Sequence, residues 1–484
     1  MSIASSFSNA LSGLSAVSRA ADVVSSNIAN AMTEGYARRE LALSALSVGG
    51  QGAGVRVDGV IRVVNQAVLA DRRLADAEVG NIALRAEFLN RLETLLGTPG
   101  TPGSLSDRIA SFETALIEAA SRPDSEARLQ SVLTSAEAIT SHLNKLTGAI
   151  QGERMSADQQ IAAQVTKLNT ALKEIDVLNA KILTARSSGQ DASALLDHRQ
   201  ALVDQVAQIV PIREVARDNS QISLFTTGGA VLLEGNPAVI DFAAVGVITA
   251  DMTLASGALS AASINGLVVS PTDSGVLGGG TLGALFALRD ELAPQAQAQI
   301  DALARDLIAR FEAPALDATK AAGAPGLFTD RAAALDPADE VGLAGRISIS
   351  TSVDPDQGGA LWRLRDGLGA ASSGPVGNGT LLTALGTALT ATNVPASGIF
   401  SGAARSVSGL AADILSQVSG TRQTVELRES YASSRQDSLT KLYLSDGVDT
   451  DAEMQNLLQI EQAYAANARV IQAIDEMLQT IVAI

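Results

Sequence analysis

Apolar residues recur every three or four positions along the start of the chain. Alternating steps of four and three connect nine positions, and all nine are apolar: Ile3, Phe7, Ala10, Leu14, Val17, Ala21, Val24, Ile28 and Ala31. An average spacing of about 3.5 residues keeps one seam of a helix facing a partner helix. The sequence therefore predicts an N-terminal helix that packs against at least one other helix.

The end of the chain carries a second apolar stripe with the same spacing. Its main positions are Leu457, Ile460, Tyr464, Asn467, Ile471, Ile474, Leu478 and Ile481, among which Asn467 alone is polar. Four more apolar residues widen the stripe: Ala463, Val470, Met477 and Ile484. A wide apolar stripe requires more than one neighbouring helix.

Two arrangements satisfy both stripes, and the periodicity does not distinguish them. In the first, the terminal helices pair within one chain. In the second, our working hypothesis, they are frayed in the free monomer and order fully when several copies pack side by side. Strong protection of both helices from amide hydrogen exchange in the monomer would contradict this hypothesis. The predicted assembly interface comprises Phe7, Leu14, Val17, Val24 and Ile28 together with the eight main positions of the C-terminal stripe.

Length, charge and cysteine content limit the other possibilities. The chain has 484 residues, which favours about two to four domains. Its formal charge of -17 argues against nucleic acid and anionic membranes as partners, because these bind clustered Lys and Arg. The absence of cysteine excludes thiol catalysis and disulfides. The chain has no apolar run of membrane-spanning length and no pattern of a cleaved secretion signal.

The middle of the chain predicts helices followed by strands. Breakers at 99–104 and at Pro123 separate helical stretches that would form a bundle, at 105–121, 125–150, 156–186 and 192–209. Short apolar runs with Gly-Gly and Asn-Pro turns start at 212 and predict hairpins. Helix returns at about 283–312, and the Gly, Ser, Thr, Ala and Pro content of 330–404 predicts a small β-rich outer domain.

A helical hairpin is predicted at the C-terminal end. Residues from about 405 to 444 have the pattern of a long helix. Thr450 and Glu453 then have the T-x-x-E spacing of a capping box, which predicts the start of the last helix.

The predicted fold class is mainly α with a β-rich outer portion: terminal coiled-coil helices, a helical-bundle middle domain and small β domains. The predicted domains are a terminal coiled coil of 1–35 and 446–484, a helical bundle of 36–211, 278–315 and 405–445, a β-hairpin region of 212–277 and a variable outer domain of 316–404.

Each end of the chain carries a short motif within or beside its apolar stripe. At the N-terminal end, an Asn-Ile-Ala-Asn segment is followed by Thr-x-Gly-Tyr, at Asn27, Ile28, Ala29, Asn30, Thr33, Gly35 and Tyr36. At the C-terminal end, the motif comprises Gln462, Ala463, Tyr464, Ala466, Asn467, Ala468, Ile471, Asp475 and Met477. Through these residues both ends resemble the bacterial flagellar axial proteins, the family of rod, hook and hook-associated subunits. Two matching ends in the right order are more specific than either one.

Two segments of the middle are similar to the hook-associated branch of this family. They are LLDHRQALVDQVAQIVPI at 195–212 and GGTLGALFALRDEL at 279–292. The resemblance does not cover about 330–400. The chain also departs from the family pattern at Met32 and Glu34, where Asn and Pro are frequent.

The resemblance implies a structural subunit that acts as an adaptor between the flagellar hook and its filament. Such a subunit polymerises through its terminal helices into a ring or helical array, beside the hook protein and a second junction protein. It is exported through the flagellar type III channel without a cleaved signal, and a cytoplasmic chaperone covers its C-terminal helices before export. An extracellular, flagellar location and no enzymatic activity are therefore expected.

Two other functions fit parts of the sequence. A hook or distal-rod protein would share the terminal signatures, but those proteins have β-rich domains in place of the long helical middle. An export-coupled enzyme, such as a wall hydrolase, would need a carboxylate or histidine pair that the sequence does not present. We therefore predict no catalytic residue, no cofactor and no metal site.

The turn motif at the end of the N-terminal stripe has a physical interpretation. Asn27 and Asn30 can satisfy backbone groups at a helix end. Gly35 can adopt the left-handed conformation that ends a helix, and Tyr36 can anchor the following segment with a buried ring and an accessible hydroxyl. The same residues also fit a plain helix end followed by a loop.

A glycine motif later in the chain is a weak signal. Gly278, Gly280 and Gly283 match G-x-G-x-x-G. A dinucleotide site also needs a preceding strand and a βαβ unit, which the surrounding sequence lacks. A flexible start to a helix is the better interpretation.

Two further polar patterns are better explained without a ligand. Asp354 and Asp356 resemble the start of a calcium loop, but its twelfth position is Arg365 rather than Glu. A turn is therefore predicted there. His142 and His198 have no paired-ligand spacing and are expected on helix surfaces.

Overall fold

Helices make up most of the protein in the computed structural model. The structure describes residues 3–33, 35–48, 51–270, 272–400 and 402–483. The helices are α1 (Ile3–Ala29), α2 (Gln66–Leu96), α3 (Leu105–Ser121), α4 (Glu126–Ser187), α5 (Ser193–Ile209), α6 (Gly280–Ala287), α7 (Ala293–Glu312), α8 (Arg363–Asp366), α9 (Thr380–Thr390), α10 (Val407–Ser445) and α11 (Thr450–Val482). Within the described ranges, none of them is long and apolar enough to cross a membrane.

The strands belong to small sheets. The first sheet is the hairpin of β1 (Arg39–Val48) and β2 (Gln51–Arg62). The others contain β3 (Ile212–Ala216), β4 (Ile222–Thr226), β5 (Val231–Glu234) and β6 (Asn236–Pro237); β7 (Ile240–Asp241), β8 (Ser263–Ile264) and β9 (Leu267–Val268); and β10 (Phe328–Asp330) with β11 (Ile347–Ile349). The predicted fold class, mainly α with small β regions, is confirmed.

The chain divides into two compact units. Unit 1 contains Met1–Gly80, Thr166–Ile240 and Tyr431–Ile484, and unit 2 contains Asn81–Val165 and Asp241–Ser430. The long helices α2, α4 and α10 contribute residues to both units. The domain boundaries drawn from the sequence stay a prediction.

The terminal helices α1 and α11 pack against each other in unit 1. They run antiparallel, because Gly13 lies beside Asn467, whereas Arg38, beyond the end of α1, is 3.9 Å from Glu453 near the start of α11. A β carbon at position 13 would lie 2.9 Å from Oδ1 of Asn467, so glycine permits this close approach. Asn467 itself donates to the carbonyl of Ala463, which satisfies the polar member of the stripe.

The hairpin of β1 and β2 corrects the sequence prediction, which assigns 36–211 to a helical bundle. Its strands pair antiparallel, with Arg39 opposite Arg62 at the open end. Apolar and polar residues alternate at VRVD in β2, and this period of two is typical of a strand, whereas LALSALSV in β1 does not alternate strictly. A two-stranded hairpin is marginally stable alone. Packing of α1 on this hairpin supplies the missing support.

Helix α4 is continuous over 62 residues, where the sequence predicts two helices interrupted at about 151–155. The segment QGERM contains no proline, and a single glycine weakens a helix without ending it. Buried contacts also continue through this segment. Arg154 is almost fully buried and donates to the side-chain oxygen of Gln151 at 2.8 Å and to the carbonyl of Arg289 at 3.0 Å. The predicted interruption was therefore wrong.

Helix α11 has a different N-cap from the predicted one. Thr450 is the first helical residue, and Asp449 is the cap. The carboxylate of Asp449 accepts hydrogen bonds from the backbone N–H groups of Asp451 and Ala452, at 2.9 and 3.2 Å. Aspartate suits this position because it satisfies free amides and carries a negative charge at the positive end of the helix.

Residues 316–404 contain less strand than their composition predicts. The described part holds the three-residue strands β10 and β11, the helices α8 and α9, and many turns. Three leucines at spacings of three and four are buried on one face of α9: Leu382, Leu385 and Leu389. This stripe packs α9 against α3 and α7 in unit 2. The small and polar residues around the leucines concealed the helical pattern.

Candidate assembly interface

The predicted assembly residues of α1 differ in burial. Val24 is buried, and Leu14, Val17 and Ile28 are half-buried. Phe7 keeps 42% of its surface exposed. Because α1 packs on both α11 and the β1–β2 hairpin, contacts within the chain already cover most of its apolar stripe.

The predicted assembly residues of α11 are covered less completely. Ile474 is buried, whereas the half-buried positions are Leu457, Ile460, Asn467 and Ile471. Five apolar residues of the widened stripe are exposed and are called here the α11 patch: Tyr464, Val470, Met477, Leu478 and Ile481. Ile484 lies outside the described residues.

The width of the apolar stripe explains part of the α11 patch. One partner helix covers only one seam, and Val470 and Met477 are among the residues that widen the stripe beyond it. Each of these two side chains is nearly half exposed, at 45% and 48%. Contiguous exposed apolar surface marks a contact with another molecule. The structure thus pairs the terminal helices within one chain, and the use of the α11 patch by other copies stays a prediction.

Asn27 links the end of α1 to the start of β1. Its side chain is fully buried. Its amide nitrogen donates to the carbonyl of Arg39 at 2.9 Å, and its oxygen accepts from the backbone N–H of Arg39 at 3.0 Å. The side chain therefore pairs with the main chain of Arg39 much as a neighbouring strand would. The same oxygen accepts a hydrogen bond of 2.9 Å from the hydroxyl of Tyr36.

Asn30 and Thr33 shape the first half of the turn. The amide nitrogen of Asn30 donates to the carbonyl of Ser26 at 2.8 Å, which satisfies a backbone group at the helix end. The hydroxyl of Thr33 lies 3.4 Å from the side-chain oxygen of Asn30. The backbone carbonyl of Thr33 accepts a hydrogen bond from the backbone N–H of Tyr36.

Gly35 and Tyr36 form the second half of the turn. Gly35 has φ of +79°, a left-handed conformation that favours glycine. The guanidinium of Arg39 lies 4.7 Å from the ring centre of Tyr36. Among the two departures from the family pattern, Met32 is fully exposed and Glu34 lies outside the described residues. The motif residues therefore meet in one turn, and their role in assembly stays a prediction.

Asp197 on α5, which the sequence analysis did not single out, ties the hairpin down beside this turn. Its carboxylate accepts from Arg39 at 2.9 Å, from Arg62 at 2.8 Å and from the backbone N–H of Ala37 at 3.3 Å. Arg39 and Arg62 are opposite each other in β1 and β2. One carboxylate therefore holds the open ends of both strands, with charge-assisted hydrogen bonds.

Two further side chains extend this contact along α5. Gln200 donates to the hydroxyl of Tyr443 in α10 at 2.7 Å. Asp204 accepts from Arg72 and Arg73 of α2, each at 2.5 Å. The guanidinium of Arg72 also lies 4.5 Å from the ring centre of Tyr443. The polar face of α5 thus joins four elements of unit 1.

The spacing of these residues was a usable signal. Asp197, Gln200 and Asp204 are three and four positions apart and therefore lie on one face of a helix. They also belong to the LLDHRQALVD segment that carries the resemblance. Their arginine partners could not be identified, because no periodicity connects α5 with β2 or α2.

The two histidines differ from each other. His198 is exposed, as expected of a helix-surface residue. His142 is half-buried in α4, so the same expectation was wrong there. Burial lowers the pKa of His142 to about 4, and the nearby charges of Arg108 and Lys145 add to this shift. His142 is therefore neutral near pH 7.

The other weak motifs form turns and a helix start. The carboxylate of Asp354 accepts from the backbone N–H of Asp356 at 2.9 Å, so the predicted turn is confirmed. Gly280 is the first residue of α6. In the described ranges, no cluster of three or more His, Asp or Glu side chains could hold a metal ion.

Three family models of flagellar proteins match the chain. The helical domain of flagellar hook-associated protein FlgK matches residues 89–327. The C-terminal model of the flagellar basal body rod FlgEFG proteins matches 445–484, and the flagella basal body rod protein model matches 7–36. The two short matches cover α11 and most of α1, which are the helices that form the terminal pair.

Similar proteins are described as flagellar hook-associated protein 1. That of Escherichia coli (strain K12) is 27% identical over 243 residues, which are 49% of this chain and 44% of the relative. That of Bacillus subtilis (strain 168) is 24% identical over 508 aligned positions, which cover 97% of this chain and 96% of the relative. The match thus spans less than half of the first relative and nearly all of the second. The solved flagellar hook junction protein FlgK from Burkholderia pseudomallei is 22% identical, with a TM-score of 0.44 over 54% of this chain and 46% of that one.

Proposed function

We propose that this chain, which belongs to the flagellar hook-associated protein family, is a structural adaptor at the junction between the flagellar hook and the filament. The observation that carries the proposal is the α11 patch, whose residues stay exposed although α11 packs on α1. A helix with apolar residues beyond its own partner's seam needs further helices. Neighbouring copies would supply them when the chain polymerises into a ring or helical array.

The turn at Asn27 supports the proposal independently of the α11 patch. A subunit that polymerises through its terminal helices must pass from them to the rest of its chain along a reproducible path. Asn27 pairs with the main chain of Arg39, and Asp197 holds Arg39 and Arg62. These hydrogen bonds would give every copy the same exit from α1.

The proposed partners follow from this position in the flagellum. They are other copies of the chain, the hook protein and a second junction protein. The chain would reach its place outside the cell through the flagellar type III channel, without a cleaved signal. A cytoplasmic chaperone would cover the C-terminal helices before export, because the free α11 patch would otherwise promote aggregation.

A hook or distal-rod protein is the nearest alternative, since it would share the terminal helices. The long helical middle, with the 62-residue helix α4, favours the hook-associated function over this one. We also propose that the chain has no enzymatic activity. Release of soluble fragments from peptidoglycan incubated with the purified protein would contradict that statement.

Deletion of the gene tests the proposal directly. Electron microscopy of the deleted cells and a blot for flagellin in the medium are the measurements. We expect complete hooks without filaments, together with flagellin lost to the medium. Absent or truncated hooks would favour the rod or hook alternative, and normal flagella would contradict both functions. Restoration by a plasmid copy of the wild-type gene is the control.

A further inference from the structure

A small cavity in unit 1 lies among three arginines. Its volume is about 40 Å³, and its lining includes Arg62, Arg73, Arg199, Gln200 and Glu214. One buried water needs roughly 10–15 Å³ of such space. The cavity therefore has room for a few waters or for one small anion.

Arg199 has neutral hydrogen-bond partners in this cluster. It is only 7% exposed, and its Nη1 donates to the side-chain oxygen of Asn179 at 2.8 Å and to the carbonyl of Ser220 at 2.6 Å. Among the described residues, no carboxylate lies within 4.0 Å of its guanidinium. A buried charge without a counter-ion is costly, so Arg199 favours an anion beside it.

The carboxylates nearby are already engaged by the other arginines. Asp204 accepts from Arg73 at 2.5 Å, and Glu214 accepts from the same guanidinium at 2.6 Å. Asp197 is shared between Arg62 and a second arginine of the hairpin. Positive charge therefore exceeds negative charge around the cavity, although the whole chain carries a formal charge of -17.

Each of the three arginines keeps one unused amino group. Within the described part of the chain, Nη1 of Arg62 and Nη2 of both Arg73 and Arg199 make no hydrogen bond. Each of these nitrogens keeps some solvent-accessible surface, so a ligand in the cavity can reach it. Three guanidinium donors of this kind match the oxygens of a phosphate or sulfate group.

The electrostatic state of Arg199 agrees with a missing counter-ion. Burial lowers the pKa of Arg199 to about 10. Glu214 opposes this shift, whereas Arg62, Arg186 and Arg73 add to it. An anion in the cavity would relieve both the burial and the repulsion among the arginines.

A wider cleft gives an anion a route to this position. The cleft has a volume of about 1160 Å³ and is lined by six arginines and four carboxylates. Among these arginines, Arg19 and Arg186 lie outside the cavity. Both of these additional side chains are exposed. A cleft with an excess of one charge raises the local concentration of the opposite ion.

We infer that the cavity binds one tetrahedral oxyanion, inorganic phosphate or sulfate, between Arg62, Arg73 and Arg199. The bound anion would neutralise Arg199 and tie β2 and α2 to α5. This inference is independent of the proposed function, since it concerns one chain and no assembly. The opposing explanation is a water-filled cavity in which Arg199 only braces the Ser220 loop.

Isothermal titration calorimetry of the full chain with phosphate, at constant ionic strength set by chloride, tests the inference. We expect saturable binding of one phosphate per chain and its loss in Arg199→Gln. The matched control is Arg91→Gln, which removes an arginine paired with Glu87 and Glu153 at the surface of unit 2 and should bind as the wild type does. No saturable heat, or equal heat with Arg199→Gln, would overturn the inference.

Two further measurements keep the test independent of how well that variant folds. Phosphate at about ten times its dissociation constant should raise the melting temperature of the wild type by about 2–4 °C over chloride. Crystals soaked in selenate should show an anomalous peak in the cavity. A site that binds acetate but not phosphate would instead indicate a carboxylate ligand and would also overturn the inference.

Discussion

The α11 patch exposes apolar side chains, whereas the interior of unit 2 buries a pair of charged ones. On α11, Met477 and Leu478 keep 48% and 43% of their surfaces exposed. In unit 2, the ion pair of Asp158 and Arg289 is fully buried. Apolar groups usually lie inside and charges outside. Each region therefore needs its own physical explanation.

Hydrogen bonding explains the buried pair. Arg289 donates to Oδ1 of Asp158 at 2.6 Å and to the carbonyl of Ser260 at 3.0 Å. The backbone N–H of Val245 donates to the other oxygen of Asp158 at 2.6 Å. The pair thus connects α4 with the segment between β7 and β8 and with the π-helical segment Leu288–Leu292. Charges can be buried here because the chain itself provides every partner.

The α11 patch has no comparable cover from its own chain. Its residues are exposed although α1 already occupies the adjacent seam. A buried charge whose partners all come from its own chain is thus a sign of a region completed within one chain. Exposure of an apolar stripe is a sign of a region that other molecules complete.

The largest loss of stability is expected from Asp158→Ala, which removes one of the two carboxylates paired with the buried Arg289 and leaves the backbone N–H of Val245 without its acceptor. Breaking a buried pair in this way costs about 3–5 kcal/mol. The measurement is the free energy of unfolding of unit 2 from urea denaturation. The matched control is Glu87→Ala at the exposed Glu87–Arg91 pair, which should cost about 1 kcal/mol or less. Equal losses of stability for both variants would contradict the claim that the buried pair contributes more than the exposed one.

Asn27→Ala should produce the next largest loss, because it leaves backbone groups of Arg39 and the hydroxyl of Tyr36 without their partner. Unsatisfied buried polar groups cost about 1–3 kcal/mol. Urea denaturation of unit 1 gives the value. Asn30→Ala, which removes one local bond to Ser26, is the control and should cost less. A larger effect at Asn30 would mean that Asn27 does not hold the turn.

A buried carboxylate without an ion pair should make a pH-dependent contribution to the stability of the folded protein. Burial raises the pKa of Asp301 from 3.8 to about 6, although the N–H groups of Gly342 and Ala344 donate to it. The folded state therefore holds its proton more tightly than the unfolded state does. The resulting stabilisation is complete below about pH 3.8 and is lost as pH rises through about 6.

Comparison of the wild type with Asp301→Asn isolates this contribution. The free energy of unfolding of the wild type, relative to that of the variant, should fall steadily between about pH 4 and pH 6, since Asn does not titrate. Urea denaturation at each pH measures it. Asp366→Asn should show the opposite slope at lower pH. The hydrogen bond from Arg365 lowers the pKa of Asp366 below 3.8, so the stability advantage of the wild type should grow as pH rises towards about 4 and stay level above it. A flat difference for Asp301→Asn would contradict the raised pKa.

Leu478→Asp should have the smallest effect on the isolated chain. An exposed position tolerates a charge, so the free energy of unfolding should change by about 1 kcal/mol or less. Assembly should nevertheless be abolished, because packing of copies would bury that charge without a partner. Filament counts by electron microscopy in a complemented deletion strain measure assembly.

Ala465→Asp provides the matched control for Leu478→Asp. It adds the same charge to the same helix at an exposed position about 140° away around the helix axis. Normal filament counts are expected for this control. Normal counts with Leu478→Asp would remove the α11 patch from the assembly mechanism, whereas loss of filaments with both variants would point to a general effect of charge on α11.

Local patterns accounted for much of the fold. The apolar stripes of α1 and α11 and the breakers around α3 depend on residues close together in sequence, and these elements were predicted. The helix at about 405–444 matches α10 at Val407–Ser445. The turn residues from Asn27 to Tyr36 were also identified, because their spacing at a helix end is itself local.

Contacts between distant segments decided the rest. The β1–β2 hairpin requires α1 for support, and the continuity of α4 is supported by buried partners of Arg154 outside that helix. The Asp197 contacts and the arginine cavity depend on α5 meeting β2 and α2, which no sequence spacing encodes. The residue pattern thus determined which helices form and which faces are apolar. Only the tertiary structure decided which of those faces the chain covers for itself and which it leaves exposed, because burial depends on neighbours that are far away in sequence.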